Sequence, residues 1–262
     1  MDLSIIIVNY KSQTKLANCL LSLQKVDFDD IDHEIIVVEN NSGDQLESLL
    51  AAYPKVRLLI SERNLGMGGG NNLGIKHSRG KFILIANPDL VFSPSSIKEL
   101  YIYLQAHPEA AVVAPQLLNP DGSLQYSCAR FPSIFLPVLR RTSLGRYLPA
   151  LVDRYLMRHE DHRASRAVDW ILGACFLVRR DELFQFGNLF DERFFMYFED
   201  VDLCRRAQQL GKKVIYHPVA QVTHDHMRDS ARLPWYQAIF SDRLARIHLQ
   251  SWWKYFKKWG WR

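Results

Sequence analysis

Runs of unbroken apolar residues alternate with amphipathic segments from the start of the chain. Ser4–Val8 (SIIIV), Glu34–Val38 (EIIVV), Val56–Ile60 (VRLLI), Phe82–Ala86 (FILIA) and Ala111–Ala114 (AVVA) are short, apolar and bounded by polar clusters, which predicts strands of a buried sheet. Helical spacing follows Asn9-Tyr10-Lys11-Ser12 through Leu16, Leu20, Leu21 and Leu23, and recurs over about 44–52, 71–77 and 95–105. The βαβαβ order of the opening sixty residues predicts an α/β fold with a mostly parallel central sheet and helices on both faces. The pattern weakens after the Asn119-Pro120-Asp121-Gly122 turn, and the next fifty residues read as a partly helical insertion covering the site. Val168–Arg179 is expected to be a strand in which Gly173 allows close approach. A helix opens near Glu199, with Val201, Leu203, Cys204, Ala207 and Leu210 on its apolar face and Gly211 at its end. Lys213–Tyr216 is a last strand, ended by His217-Pro218.

Polar residues at the ends of these elements carry the candidate chemistry. Phe82–Ala86 runs into Asn87-Pro88-Asp89, where Pro88 removes a donor and restrains Asn87, leaving Asp89 on a stiff segment at a strand's carboxyl end. Ligands of open α/β sheets bind at that edge. Glu199 and Asp200 lie in a first helical turn, where the dipole favours carboxylates whatever their function. Glu62–Gly74 (ERNLGMGGGNNLG) is glycine-dense, yet a dinucleotide fingerprint belongs directly after the first strand, where NYKSQ stands instead. The glycines are therefore expected to admit a ligand close to the backbone, with the helix from about Asn71 offering its amides to an anion. With His224 downstream, the set suits group transfer from a phosphate-linked donor. One acid and a histidine hold a hard divalent cation, and another acid deprotonates the attacking hydroxyl.

Composition narrows the partners. The 262 residues are 48% hydrophobic and 12% aromatic, a globular balance, and no run is long enough to span a membrane. Cys19, Cys128, Cys175 and Cys204 lack CxxC spacing and read as reduced thiols. The N-terminus enters strand pattern without a basic flank or apolar signal region, so the expected location is cytoplasmic. Net charge is +5, with positive charge concentrated over 130–166 and 225–262, which points to an anionic partner: a phosphate ligand, a membrane surface or nucleic acid. In the tail SWWKYFKKWGWR, Trp252, Trp253, Tyr255, Phe256 and Trp259 share one helical face and Lys254, Lys257 and Lys258 the other. That arrangement suits a bilayer interface, with packing on the domain or a homodimer contact as the alternative.

On these motifs the chain resembles the family 2 glycosyltransferases of GT-A fold. The resemblance runs from Ser4 to about His224 through SIIIVNYKSQTKLANCLLSL, IIVVENNS, ERNLGMGGGNNLGIKHSRGKFILIANPDLVF and VDWILGACFLVRRDELFQFGNLFDERFFMYFEDVDLCRRAQQLGKKVIYHP. Asn-Pro-Asp and FFMYFEDVDLCRRA are similar to bacterial rhamnosyltransferases using dTDP-L-rhamnose, and the block from Val168 to those acting on GlcNAc-diphospho-polyprenol in O-antigen-type assembly. The resemblance implies that Asp89 and His224 ligate Mg²⁺ or Mn²⁺ on the donor diphosphate, that Asp200 is the catalytic base of an inverting reaction, and that Glu199 orients it or the acceptor. It places Asn9 and Tyr10 beside the nucleobase, Glu39 as its reader, and Arg63, Gly66, Asn71 and Asn87 along the nucleotide and sugar. Trp170 and Gly173 fall on the acceptor side. Asn87 departs from a motif that often begins with an acid, and Glu39 stands where Asp is common. The implied organisation is a GT-A domain over 1–224, with donor and acceptor halves meeting near 115, and a membrane-associating tail over 225–262 at the inner face of the cytoplasmic membrane. Two alternatives stand: a UDP-hexose donor with another glycan acceptor, and a non-catalytic nucleic-acid or anionic-surface binder, which would not require acids at 89 and 200.

Overall fold

The computed structural model describes residues 1–136, 147–183, 187–225 and 242–261. Side-chain alternation in the strands sets the layers. In β1 (Leu3–Asn9), Leu3, Ile5 and Ile7 enter one core and Ile6 and Val8 the other. β2 (His33–Glu39) and β4 (Phe82–Ala86) divide likewise, with Phe82, Leu84 and Ala86 on the first side and Ile83 and Ile85 on the second. α1 (Gln13–Leu23), α2 (Leu46–Leu50) and α4 (Ser96–Ala106) cover the first core with Leu16, Leu20, Leu46, Ile97, Leu100 and Leu104. α3 (Gly66–Lys76) and a helix over Glu199–Gln209, the acid helix, cover the second with Ile75, Leu203, Cys204 and Ala207. Each fully buried Leu or Ile contributes roughly 1.5–3 kcal/mol, so many similar contacts hold both faces.

The remaining strands are β3 (Val56–Ile60), β5 (Leu90–Phe92), β6 (Ala110–Leu118), β7 (Leu124–Gln125), β8 (Cys128–Ala129), β9 (Arg166–Val168), β10 (Trp170–Ile171), β11 (Cys175–Arg179) and β12 (Lys213–His224). The main sheet has the order β3-β2-β1-β4-β11-β6-β12-β5. β1 to β4 are parallel, β11 enters antiparallel between β4 and β6, and β6 and β12 are again parallel. The carboxyl ends of β1, β2, β4 and β12 therefore reach the same edge as the amino end of β11. Asn9, Glu39, Asn87, Gly173 and His224 gather there.

Four expectations need correction. Val168–Arg179 is broken into β9, β10 and β11, because the Gly173 amide donates to Asp200 instead of a neighbouring strand. β12 does not stop at His217-Pro218; a register shift between His217 and Gln221 absorbs the proline, and the strand continues to His224. α3 begins at Gly66, not near Asn71, and its glycines serve the interior. A Cβ on Gly74 would lie 2.5 Å from Ile6 Cγ2, and one on Gly70 2.9 Å from Val8 Cγ1, so the helix rests on β1 closer than larger residues permit.

The fourth concerns the C-terminal helix (Arg243–Trp259), capped by Asp242 accepting from the Leu244 amide at 2.8 Å. Its aromatic face turns inward: Tyr255 and Phe256 are buried, and Trp252 and Trp259 pack with them around Phe194, Phe198 and Val201. Of the five expected interfacial aromatics Trp253 alone is exposed, so burial against the acid helix accounts for most of the amphipathic pattern. No described helix is long and apolar enough to cross a membrane. The middle of the expected insertion, with Arg140, Arg141 and Arg146, lies outside the described residues, as do His226, Arg228, Arg232 and Arg262. All four cysteines are buried free thiols.

Candidate active site

β4 ends at Ala86, but the Asn87 amide still donates to the Ala174 carbonyl at 2.8 Å, which clamps the strand to the entry of β11. After Pro88, Asp89 stands where β5 begins. β12 pairs with β5 so that His224 lies opposite Leu90, and its Nε2 comes 3.3 Å from Asp89 Oδ1. His224 Nδ1 meets Gln125 Oε1 at 2.6 Å, which holds the ring with Nε2 turned toward the carboxylate. Asn87 Oδ1 and Asp89 Oδ1 are both buried without a hydrogen-bond partner among the described residues. Ligands about 2.1 Å from one octahedral hard cation stand roughly 3 Å apart, so the Asp89–His224 pair fits a divalent ion. No cluster of three His, Cys, Asp or Glu occurs among the described residues. Lys15 of α1 adds positive charge, its Nζ 4.0 Å from Asp89 Oδ2 and 2.7 Å from the Asp225 carbonyl. Burial would raise the Asp89 carboxyl, but the His224 contact and then Lys15 outweigh it and hold it below its ordinary value.

The second acid site is joined to the first by one turn. Asp200 Oδ2 accepts from the Gly173 amide at 2.9 Å, while Ala174, the next residue, accepts from Asn87. Asp200 Oδ1 accepts from the Val201 amide at 2.8 Å. A Cβ on Gly173 would lie 3.1 Å from Asp200 Cβ and 3.2 Å from Oδ2, so the close approach expected of this glycine is to the acid. Asp200 is buried; Glu199 is partly exposed, yet its Oε2 is sealed from solvent without a hydrogen-bond partner among the described residues. Burial pushes both carboxyls above their ordinary values. The charge of Asp200 lifts Glu199 further, whereas the amides of Gly173 and Val201 pull Asp200 back, making Asp200 the member that ionises first. Tyr197 and Phe198, which lead into the acid helix, have φ of 69° and 67°. Left-handed backbone at bulky residues costs of order 1–3 kcal/mol each and persists only where surrounding contacts enforce it.

The donor-side candidates differ in their surroundings. Glu39 is buried and takes the amides of Asn41 (3.0 Å) and Ser42 (2.6 Å) and the Ser42 hydroxyl, so a nucleobase would share a carboxylate that already shapes a turn. Asn9 is buried, donates to Asp44 Oδ2 at 2.8 Å and, among the described residues, keeps Oδ1 without a hydrogen-bond partner. Asn71 donates to the Met67 carbonyl at 3.0 Å, and its Oδ1 likewise has no partner among the described residues. Gly66, at φ 75°, admits the Phe195 carbonyl to the start of α3, where the Met67 amide donates to it at 2.9 Å. Tyr10 and Arg63 are exposed. Trp170 donates its indole N–H to the Arg130 carbonyl at 2.7 Å and packs against the Phe198 and Val201 cluster that flanks the acids. Cavities of about 450 Å³ and 720 Å³ lie beside Lys258 and Arg130 and include neither Asp89 nor Asp200; the acids line the sheet edge instead.

The profile of "Glycosyl transferase family 2" matches residues 4–181. The chain belongs to glycosyl transferase family 2. It is 32% identical over 242 residues to N-acetylglucosaminyl-diphospho-decaprenol L-rhamnosyltransferase of Mycobacterium tuberculosis, covering 86% of this chain and 78% of that protein. To rhamnosyltransferase WbbL of Escherichia coli K12 it is 26% identical over 241 residues, 89% of this chain and 85% of the relative. Among solved structures, GalNAc-T7 with UDP, GalNAc and Mn²⁺ superposes with a TM-score of 0.67 at 16% identity, over 87% of this chain and 44% of that one. The mannosyltransferase PcManGT of Pyrobaculum calidifontis, with GDP-Man and Mn²⁺, gives 0.61 at 17% identity, over 97% and 64%. The fold of this family 2 glycosyltransferase is the GT-A fold.

Sequence reading missed several residues around this glycosyltransferase site. Asn40 donates to Asn64 Oδ1 (3.2 Å) and the Gly66 carbonyl (3.0 Å) and accepts from the Leu65 amide (3.0 Å), tying the end of β2 to the start of α3. Asparagines in ENNS and RNLG gave a signal, since short amide side chains satisfy loop backbone. Lys15, Asp44 and Gln125 gave none, because tertiary pairing alone brings them to their partners; Asp202 carried an i,i+4 signal toward Arg206 but none toward Lys258 and Trp259.

Proposed function

We propose that this glycosyltransferase transfers L-rhamnose, with inversion, from dTDP-L-rhamnose to the GlcNAc of a diphospho-polyprenol acceptor in bacterial surface-polysaccharide assembly. The observation that carries this reading is the 32% identity, over most of both chains, to the mycobacterial L-rhamnosyltransferase. WbbL supports the same sugar. Asp200 takes the proton of the acceptor hydroxyl as its oxygen attacks the anomeric carbon; the bond from that carbon to the diphosphate breaks, and dTDP leaves with the electron pair. Glu199 orients the acceptor beside it. Asp89 and His224 would hold a divalent cation, Mg²⁺ or Mn²⁺, whose charge neutralises the departing diphosphate.

A polyprenol acceptor requires work at a membrane. Leu249 and Trp253 are exposed with Arg246 and Lys257 along the outer side of the C-terminal helix, which supports peripheral contact with anionic headgroups at the inner face of the cytoplasmic membrane. A hexose donor is the second reading, favoured by 31% identity over 238 residues to the low-salt glycan biosynthesis hexosyltransferase Agl10 of Haloferax volcanii. The deciding assay offers purified protein Mg²⁺, a GlcNAc-diphospho-lipid analogue and, separately, dTDP-L-rhamnose, UDP-glucose, UDP-galactose and UDP-GlcNAc. Release of dTDP with a rhamnosylated product is expected; turnover of a UDP-sugar alone would replace rhamnose by hexose.

A further inference from the structure

The acid helix has no side-chain N-cap, and the two left-handed residues before it must be enforced from outside. The C-terminal helix supplies that enforcement. Ser251 Oγ donates to the Met196 carbonyl at 2.8 Å, and Lys254 Nζ to the Arg193 carbonyl at 2.7 Å. Lys258 Nζ reaches Asp191 at 2.8 Å, and the His248 ring lies 4.9 Å from Tyr197 and 5.5 Å from Phe198. These contacts converge on Asp202, which is wholly buried one turn into the acid helix, its amide bonded to the Phe198 carbonyl at 2.9 Å. Asp202 Oδ1 accepts from Trp259 Nε1 at 2.7 Å, Oδ2 from Arg206 Nε at 3.0 Å, and Lys258 Nζ lies 2.7 and 2.9 Å from the two oxygens.

The Asp202 carboxylate is taken up by Trp259, Arg206 and Lys258, and the proton transfer proposed above does not use it. Its three donors nevertheless fix the turn that presents both acids. The clamped segment also carries Phe195, whose carbonyl seats the start of α3 at Gly66 and Met67. We propose that Lys258 and Trp259 are positioning residues for the Glu199–Asp200 pair, acting through the buried Asp202. This rests on the reading of Asp200 as the base.

The test uses the full chain with Trp259→Phe, Lys258→Met and Lys258→Arg, alongside Asp200→Asn. Trp259→Phe keeps an aromatic ring but removes the indole N–H; Lys258→Arg keeps the charge. kcat, KM for the donor that wild type turns over, donor affinity by titration and Tm are measured below each variant's unfolding onset. Trp259→Phe and Lys258→Met should each lower kcat roughly tenfold or more with donor affinity within about twofold of wild type, and Lys258→Arg should recover most of kcat. A lowered Tm with unchanged kcat would mean the helix only stabilises the fold and would overturn the proposal, as would equal losses of kcat and donor affinity. An active Asp200→Asn removes the base assignment and this inference with it. An inactive Asp200→Asn beside fully active Trp259 and Lys258 variants sinks this inference alone.

Discussion

Asp200 and Glu199 bring two carboxylates into one poorly solvated turn, and opposite consequences follow for turnover and for stability. A base acts in its ionised form, and burial raises the Asp200 carboxyl, so activity should fall with decreasing pH at a pH above the usual aspartate range. Asp200→Asn should cost about 10²–10⁴-fold in turnover while donor affinity stays near wild type, as measured by steady-state kinetics beside calorimetric titration. Glu199 works against the fold. Its carboxyl is raised on folding, so the stability it contributes is complete below the unfolded glutamate value of about 4.3 and is lost as pH rises through the folded value. Glu199→Gln should therefore raise Tm at pH 8, by about 2–4 °C per kcal/mol of relieved burial, and the gain should vanish near pH 4. Asp89→Ala should weaken dTDP binding chiefly in the presence of Mg²⁺ or Mn²⁺; titration with and without the ion separates this from a general loss. Asp89, Glu199, Asp200 and His224 can be singled out in the sequence by their places at strand and helix ends, while the roles expected of them come from the family resemblance. Lys15 and Gln125 cannot be, since each meets its partner only through the sheet.

α3 and the C-terminal helix show why periodicity gives an element's existence more readily than its neighbours. The tail's helical pattern is real, but an apolar stripe does not name what covers it, and here the acid helix does. The glycines of 66–74 read as a loop beside a ligand because helix propensity disfavours them; tertiary contact with β1 and the 190–199 segment overrides that preference. Gly66 offers the sharpest measurement. A Cβ there would sit 1.9 Å from the Phe195 carbonyl oxygen on backbone already at φ 75°. Gly66→Ala should destabilise the protein by about 2 kcal/mol or more in chemical denaturation, with an unchanged denaturant slope.

The βαβ order of the first half foretold the parallel strands, the layers and the edge where the polar residues meet. The central antiparallel strand was hidden in a run that reads as one element, because only the Gly173–Asp200 bond shows where the chain must turn. Surface features come from the assembled molecule too. Replacing Leu249 and Trp253 by serine with Lys257→Glu should abolish sedimentation with anionic liposomes and leave transfer to a water-soluble acceptor analogue unchanged. Full retention on liposomes would remove the outer face of the C-terminal helix as the contact.

β11 fills the middle of the sheet, between β4 and β6, although it is made some sixty residues after β6 ends. During synthesis the first 118 residues therefore emerge with two apolar strands, FILIA and AVVA, that lack their shared partner. Such a nascent chain presents open sheet edges until Cys175–Arg179 leaves the ribosome, a state prone to association with other chains. The long wait for a non-local partner also slows folding. Residues 1–118 are accordingly not a unit that can be cut out and expressed alone; their sheet closes only when β11 arrives.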